Sequence, residues 1–261
     1  MKIRLLAAAC AAALLSSSAP AFCAARQQTL TVFAAASLHN AFAELGKQFE
    51  AAHPGVSVRF NFDGSQILET QIANGAPADV FASADQRSMG KAVDAGLVGA
   101  PVDFTSNSLA VVAQFDVNVR SLRDLTRDGL KLALCAEQVP CGRYTRIALQ
   151  KLSADKTYWP RYGDQVMHNV ATQEQNVESV VQKVVLGEAD AGFVYATDAI
   201  QEGGAHLIAI PVPDQDQEIP TYPIVSVKAS ANKDLAQSFI DYVLSAKGQS
   251  VLQTFGFRGH A

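Results

Sequence analysis

Short apolar runs and helix-period segments alternate along almost the whole chain, and this alternation limits the possible folds more than any other feature. "TLTVFAAA", residues 29–36, reads as a buried strand rich in Thr, Val and Phe. From Ser37 the period changes. Leu38, Phe42, Leu45 and Phe49 form a helical stripe that His53-Pro54-Gly55 ends. "VSVRFNF" (56–62) alternates as a strand, Asp63-Gly64 turns the chain, and Ser65 opens a helix closed near Gly75. The unit recurs, with strands at 78–83, 108–115, 130–135 and 189–195 and helices at 85–95, 141–152 and 175–187. Two more strands read at "HLIAIPV" and "YPIVSVK", and helices close the chain. Residues 153–169 are polar and aromatic and show no clear period.

Such alternation predicts an α/β fold with largely parallel sheets. The chain has 261 residues, enough for one large domain or two lobes. At 49% apolar and 18% charged it can bury a substantial core. Two Pro-containing polar stretches, 101–107 and 211–222, read as crossings between lobes. The first lobe is then discontinuous, 26–106 plus 222–261, around a second lobe of 107–221.

Residues 1–25 have the layout of a secretory signal peptide: Lys2 and Arg4, an apolar stretch to Leu15, then small residues. Cleavage fits after Ala21 or Ala25, and Ala25 is preferred because strand-like sequence begins soon after. Cys10 and Cys23 lack the sequence context of a lipid-attachment site. No other run is long and apolar enough to span a bilayer, so the chain reads as an exported protein that is not membrane-inserted. The mature chain carries 19 Lys and Arg against 25 Asp and Glu. An acidic chain without a basic run argues against nucleic acid and against an anionic membrane surface. Any anion must be held locally, against the mean field.

Cys135 and Cys141 remain in the mature chain, and in an exported protein a pair this close reads as a disulfide, with two free buried thiols as the alternative. The five histidines show no ligand spacing around the pair.

Four helices start at junctions rich in small or polar residues: Ser37, Ser65, Cys141 and Asn176-Val177. A helix start exposes unpaired N–H groups and about half a positive charge. Several such ends aimed at one point bind an oxyanion without a cationic side chain. Ser37 and Ser65 would add hydroxyl donors, although both also read as plain N-caps, each stabilising its helix by about 1 kcal/mol. Catalytic signatures are missing: no G-x-S-x-G elbow, Walker loop, G-x-G-x-x-G or H-E-x-x-H. Ser37 and His39, two apart on a helix, point to different sides. An enzyme is not expected.

"TVFAAASLHNAF", "GAPADVFASADQ", "NSLAVVA", "VPCGRY" and "GFVYATDA", in this order over most of residues 29–257, resemble the periplasmic molybdate-binding proteins of ABC importers. The resemblance implies the two-lobed type II periplasmic binding-protein fold. Each lobe is then a mainly parallel sheet flanked by helices, with the ligand cleft between lobes. It implies five ligand positions: the hydroxyls of Ser37 and Ser65, the backbone N–H groups of Cys141 and Val177, and the phenol of Tyr195. It implies capture of molybdate or tungstate, no cofactor, molybdenum only within the bound anion, and a monomer that delivers to the membrane permease of an ABC importer. Cys141 stands where familiar members have a small aliphatic residue, a change a backbone donor tolerates. A Cys135–Cys141 disulfide would preorganise that donor. Asp63 departs from the small residues of many relatives and reads as an Asx turn residue pointing away from the site.

A donor-only site selects fully deprotonated anions. Phosphate usually keeps a proton at neutral pH, which would sit unpaired at a cost of about 1–3 kcal/mol. Another oxyanion such as sulfate is the rival ligand. An iron site would want clustered Tyr, His and carboxylates. An organic anion would recruit an Arg, whereas Arg143, Arg146 and Arg161 read as helix-face or surface residues.

Overall fold

Strand ends, more than strand interiors, decide where a site can form in this chain. The computed structural model describes residues 27–202 and 207–259. The segment read as a signal peptide lies outside the described residues. In chain order the elements are β1 (Gln28–Ala35), α1 (His39–Ala52), β2 (Val56–Asp63), α2 (Ser65–Ala73), β3 (Val80–Ala82), α3 (Gln86–Asp94), β4 (Val102–Ser106), β5 (Leu109–Gln114), β6 (Leu132–Cys135), α4 (Pro140–Ala154), α5 (Tyr162–His168), β7 (Val170–Glu174), α6 (Val177–Val185), β8 (Ala191–Tyr195), α7 (Ala196–Glu202), β9 (Leu207–Pro211), β10 (Thr221–Ser226), α8 (Lys233–Leu244) and α9 (Ala246–Thr254). One five-stranded sheet has the order β2-β1-β3-β10-β4 and the other β7-β6-β8-β5-β9. The α/β, two-lobed fold expected from the sequence is the one observed.

The sheets are mixed, where the sequence had suggested mainly parallel ones. β1 runs parallel to β2 and β3, and β6 parallel to β7 and β8. β10 is antiparallel to β3 and β4, and β5 is antiparallel to β8 and β9. The reason is the path of the chain. β1, β3, β6 and β8 each run towards the seam between the sheets and end there. β5 and β10 enter their sheets from the links at 107–108 and 212–220, so they must run away from it. Alternation of apolar runs carries no record of that direction.

Four strands and their following helices therefore meet at one seam, the place where open α/β sheets bind ligands. Burial fixes these directions. In the first sheet Phe42 of α1 is fully buried and packs edge-on or tilted against Phe60, Phe104 and Phe239. Asp79, also buried, accepts from Thr31 N at 2.8 Å and Ser230 Oγ at 2.6 Å, tying the start of β3 to β1 and to the chain after β10. In the second sheet the stretch without clear period forms the seven-residue α5, too short to show one. Tyr162 at its start is buried and donates to Leu122 O at 2.6 Å.

Phe42→Ala would remove a ring at the meeting point of three others. It is expected to lower unfolding free energy by about 3–5 kcal/mol in urea titrations. A loss below about 1 kcal/mol would show that the cluster repacks and does not anchor α1.

Candidate functional site

The junction after β1 shows why its strand ends on a serine. Ser37 lies in a short 3-10 turn, Ala36–Leu38, before α1, and its side chain makes no capping hydrogen bond. Ser65 is the first residue of α2, behind Gly64, and likewise caps nothing. Where this chain uses side-chain caps it does so elsewhere: Asp85 accepts from Ser88 N at 3.0 Å and Asn176 from Ser179 N at 2.9 Å. The plain-cap reading of the two serines does not describe this structure. Both hydroxyls are turned instead to a space between the sheets.

Ser37, Ser65, Cys141, Val177 and Tyr195 all line one cavity of about 10 Å³. That volume is at the lower limit for a single water. No lysine or arginine lines it. Positive charge reaches it from helix starts. Cys141 is the second residue of α4, behind Pro140, and Val177 is the first of α6. N–H groups at these positions have no intrahelical partner. The turn before α4 is drawn tight by Gly142, where a Cβ would run into the carbonyl oxygens of Cys135 and Ala136.

The hydroxyls complete the donor set. Ser65 Oγ accepts from Ala84 N at 2.9 Å, which leaves its own proton uncommitted. Tyr195 is 1% exposed, and its Oη has no hydrogen-bond partner. Burial and the neighbouring Tyr222 push the Tyr195 phenol well above its ordinary range, so it stays a proton donor. Ser37 Oγ lies 3.0 Å from Tyr222 Oη.

Two sequence expectations are corrected here. Cys135 and Cys141 do not form a disulfide: both are free, buried thiols. Cys141 Sγ donates to Phe193 O at 3.6 Å, and the Cys135 thiol, hydrogen-bonded to Cys141, is pushed up by burial. The pair packs as small apolar side chains between β6 and α4. Asp63 accepts from Gly64 N at 2.7 Å, the next residue and not the second one on that an Asx turn uses, and it does not point away. It lines the cavity, and the same oxygen accepts from Asn176 Nδ2 at 3.0 Å across the seam.

Other residues at the seam carry no signal readable from spacing. Gln66 Nε2 donates to Gln175 O at 2.9 Å, His39 faces Glu178 at 3.8 Å, and Asn40 donates to Gln201. Arg143, read from sequence as a helix-face residue, stacks on Tyr144 at 4.2 Å and reaches Asp85 of the other sheet at 3.6 Å. Arg146 instead braces its own loop, bonding Cys135 O and Gly142 O. Among the described residues no group of three or more His, Cys, Asp or Glu converges to hold a metal ion, and no helix is long and apolar enough to cross a membrane.

The model of the bacterial extracellular solute-binding proteins matches residues 30–258. The chain is 38% identical over 245 residues to the molybdate-binding protein ModA of Mycobacterium tuberculosis, covering 92% of this chain and 88% of the relative. Among solved structures it is similar to the Azotobacter vinelandii periplasmic molybdate-binding protein, with a TM-score of 0.77 and 22% identity over 89% of this chain and all of that one. It is also similar to the sulfate-binding protein SubI of Mycobacterium tuberculosis, with a TM-score of 0.79 and 18% identity over 89% of this chain and 87% of that one. At those two identities the likeness speaks for the fold alone.

Gly64 faces Gln175 across the seam, and a Cβ there would overlap the Gln175 carbonyl oxygen. Its backbone, with φ −59°, suits any residue. Gly64→Ala is therefore expected to keep the stability of each lobe while holding the sheets apart. Small-angle scattering should show a larger radius of gyration for the variant. An unchanged radius with unchanged urea stability would mean that the seam absorbs the methyl group.

Proposed function

The chain belongs to the bacterial extracellular solute-binding proteins, and we propose that within this family it captures molybdate, and tungstate with it, for delivery to the membrane permease of an ABC importer. The observation that carries the reading is the single cavity lined from both sheets by three hydroxyls and two helix starts, with no cation. The 38% identity to a molybdate-binding protein over nine-tenths of the chain supports the choice of ligand. The relatives and solved structures to which the chain is similar are binding proteins, and the function is capture without catalysis.

In this reading Ser37, Ser65 and Tyr195 donate O–H, and Cys141 and Val177 donate N–H, to the oxygens of a dianion. Hydrogen bonds to a charged partner contribute about 1.5–3 kcal/mol each, and the helix starts add their partial positive charge. The chain acts in the periplasm after loss of residues 1–25, as a monomer. The lobes, 26–106 with 222–261 and 107–221, turn about the links on either side of the second one. Open, the first lobe offers Ser37 and Ser65. Closure then brings Cys141, Val177 and Tyr195 over the anion, and Asp63, Gln66 and Arg143 meet their partners across the seam. Asp63 is the one carboxylate at the wall, and its Oδ1 is already occupied by two N–H donors. The five donors of this reading favour an anion whose oxygens are all deprotonated.

Titration calorimetry of residues 26–261 with molybdate, sulfate and phosphate tests this. The expected result is tight molybdate binding, weak sulfate binding and no phosphate heat. Tyr195→Phe should weaken molybdate binding by about tenfold to a hundredfold, the worth of one hydrogen bond to a charged group. Sulfate binding tighter than molybdate binding would move the protein to the other oxyanion, and silence with all three would overturn the reading.

A further inference from the structure

A serine at an anion site is only useful if its proton points at the anion, because a hydroxyl is as good an acceptor as a donor. What sets that direction for Ser37 lies behind it. Tyr222, at the start of β10, is fully buried, and its Oη is 3.0 Å from Ser37 Oγ and 3.3 Å from Asn107 Nδ2. Asn107 sits in the link between β4 and β5, 1% exposed. Its amide cannot be turned over: Oδ1 accepts from Ser108 N at 2.9 Å, which requires an oxygen there. Nδ2 then has two protons, and Thr197 Oγ1 at 2.9 Å and Tyr222 Oη are placed to take them.

The order of donors follows. Asn107 donates to the Tyr222 oxygen, so the phenol proton goes to Ser37 Oγ, and the Ser37 proton is left for the cavity. We infer that Asn107 and Tyr222 are specificity-determining positioning residues: they form a one-way relay that holds Ser37 as a donor and so makes this wall select fully deprotonated oxyanions. The inference rests on the oxyanion-capture reading above. Burial keeps the Tyr222 phenol protonated well beyond its ordinary range, so the relay has no alternative charge state at neutral pH. Its members are tied to both sheets, Asn107 through Thr197 at the start of α7 and Tyr222 through its own strand. Asn107 N donates to Pro220 O at 3.0 Å, joining the two links, and Tyr222 packs against Phe104 and Phe257. Ser37 is thereby aimed by groups that stand behind it, which lowers the ordering cost on binding. Ser65 reaches the same end more simply, through the Ala84 N–H.

Asn107→Asp replaces the Nδ2 donor with a carboxylate oxygen. The phenol proton then turns to the carboxylate, Ser37 donates to Tyr222, and a lone pair faces the cavity. The test measures how much Ser37→Ala weakens molybdate binding in three backgrounds by titration calorimetry. In the otherwise unsubstituted protein the loss should be about tenfold or more. With Tyr222→Phe, which keeps the ring and frees the serine rotor, it should shrink to about threefold. With Asn107→Asp it should vanish or reverse, and phosphate binding relative to molybdate should rise. An equal Ser37→Ala factor in all backgrounds, with unsubstituted binding intact, overturns the relay alone and makes the network structural. Should Asn107→Asp fail to fold by circular dichroism, the Tyr222→Phe pair decides. Failure of the unsubstituted protein to bind any of the oxyanions overturns the functional reading and this inference together.

Discussion

Everything at the seam depends on one constraint: the first N–H groups of a helix have no partner inside it. A fold that runs several strands to one seam and starts a helix after each gathers such groups in one place. Water satisfies them at an open surface. Between two closed sheets water is excluded, and the unmet donors become a concentrated demand for negative charge. The two sheets supply the demand from opposite sides, α2 and the turn before α1 from one and α4 and α6 from the other. The absence of lysine and arginine from the wall fits this arrangement. Dipoles fixed in the backbone need no flexible charged stem and fit a small anion more closely than an ammonium group would.

The sequence carried the scaffold well because burial writes itself into periodicity. The stripe from Leu38 to Phe49 and Val177, Val180, Val181 and Val184 of α6 mark helix faces that the structure buries, whereas Val185 is exposed. The junction residues were legible for a related reason, since a strand that stops on a small polar residue has little else to announce. Strand direction was not legible, because an apolar run reads the same in either sense. Cys135 and Cys141 misled because proximity in sequence says nothing about whether thiols bond or merely pack. Tyr222, Asn107 and Arg143 were out of reach: each acts on a partner 58 to 185 positions away. Tyr195 was reached only through family resemblance, since a buried tyrosine at a strand end usually means a satisfied hydroxyl. Here the hydroxyl has no partner.

Polar contacts cross the seam beside the apolar core that both sheets share, and this has a physical sense. An apolar seam of the same extent would hold the sheets together with or without a ligand. Amide–carbonyl and amide–carboxylate bonds exchange with water at small net gain, about 1 kcal/mol each. Asn176 on Asp63 and Gln66 on Gln175 therefore each add little to the closed arrangement. On the proposed reading, an anion that satisfies the donors gathered at the seam favours the closed arrangement.

Asp63 shows how the same contact can serve two ends. A carboxylate beside an anion site repels the ligand, and a chain with a net negative charge has every reason to keep carboxylates out. Yet Asp63 shares one oxygen between the Gly64 N–H of its own turn and the Asn176 amide of the opposite sheet. Asn176 in turn caps α6, whose first N–H faces the cavity at Val177. The carboxylate thus orders the turn before Ser65 and holds the cap of the opposing helix start. Its repulsion of the anion is offset because it fixes a donor on each side. The acid is tolerated at the wall because the donors it organises outnumber it there.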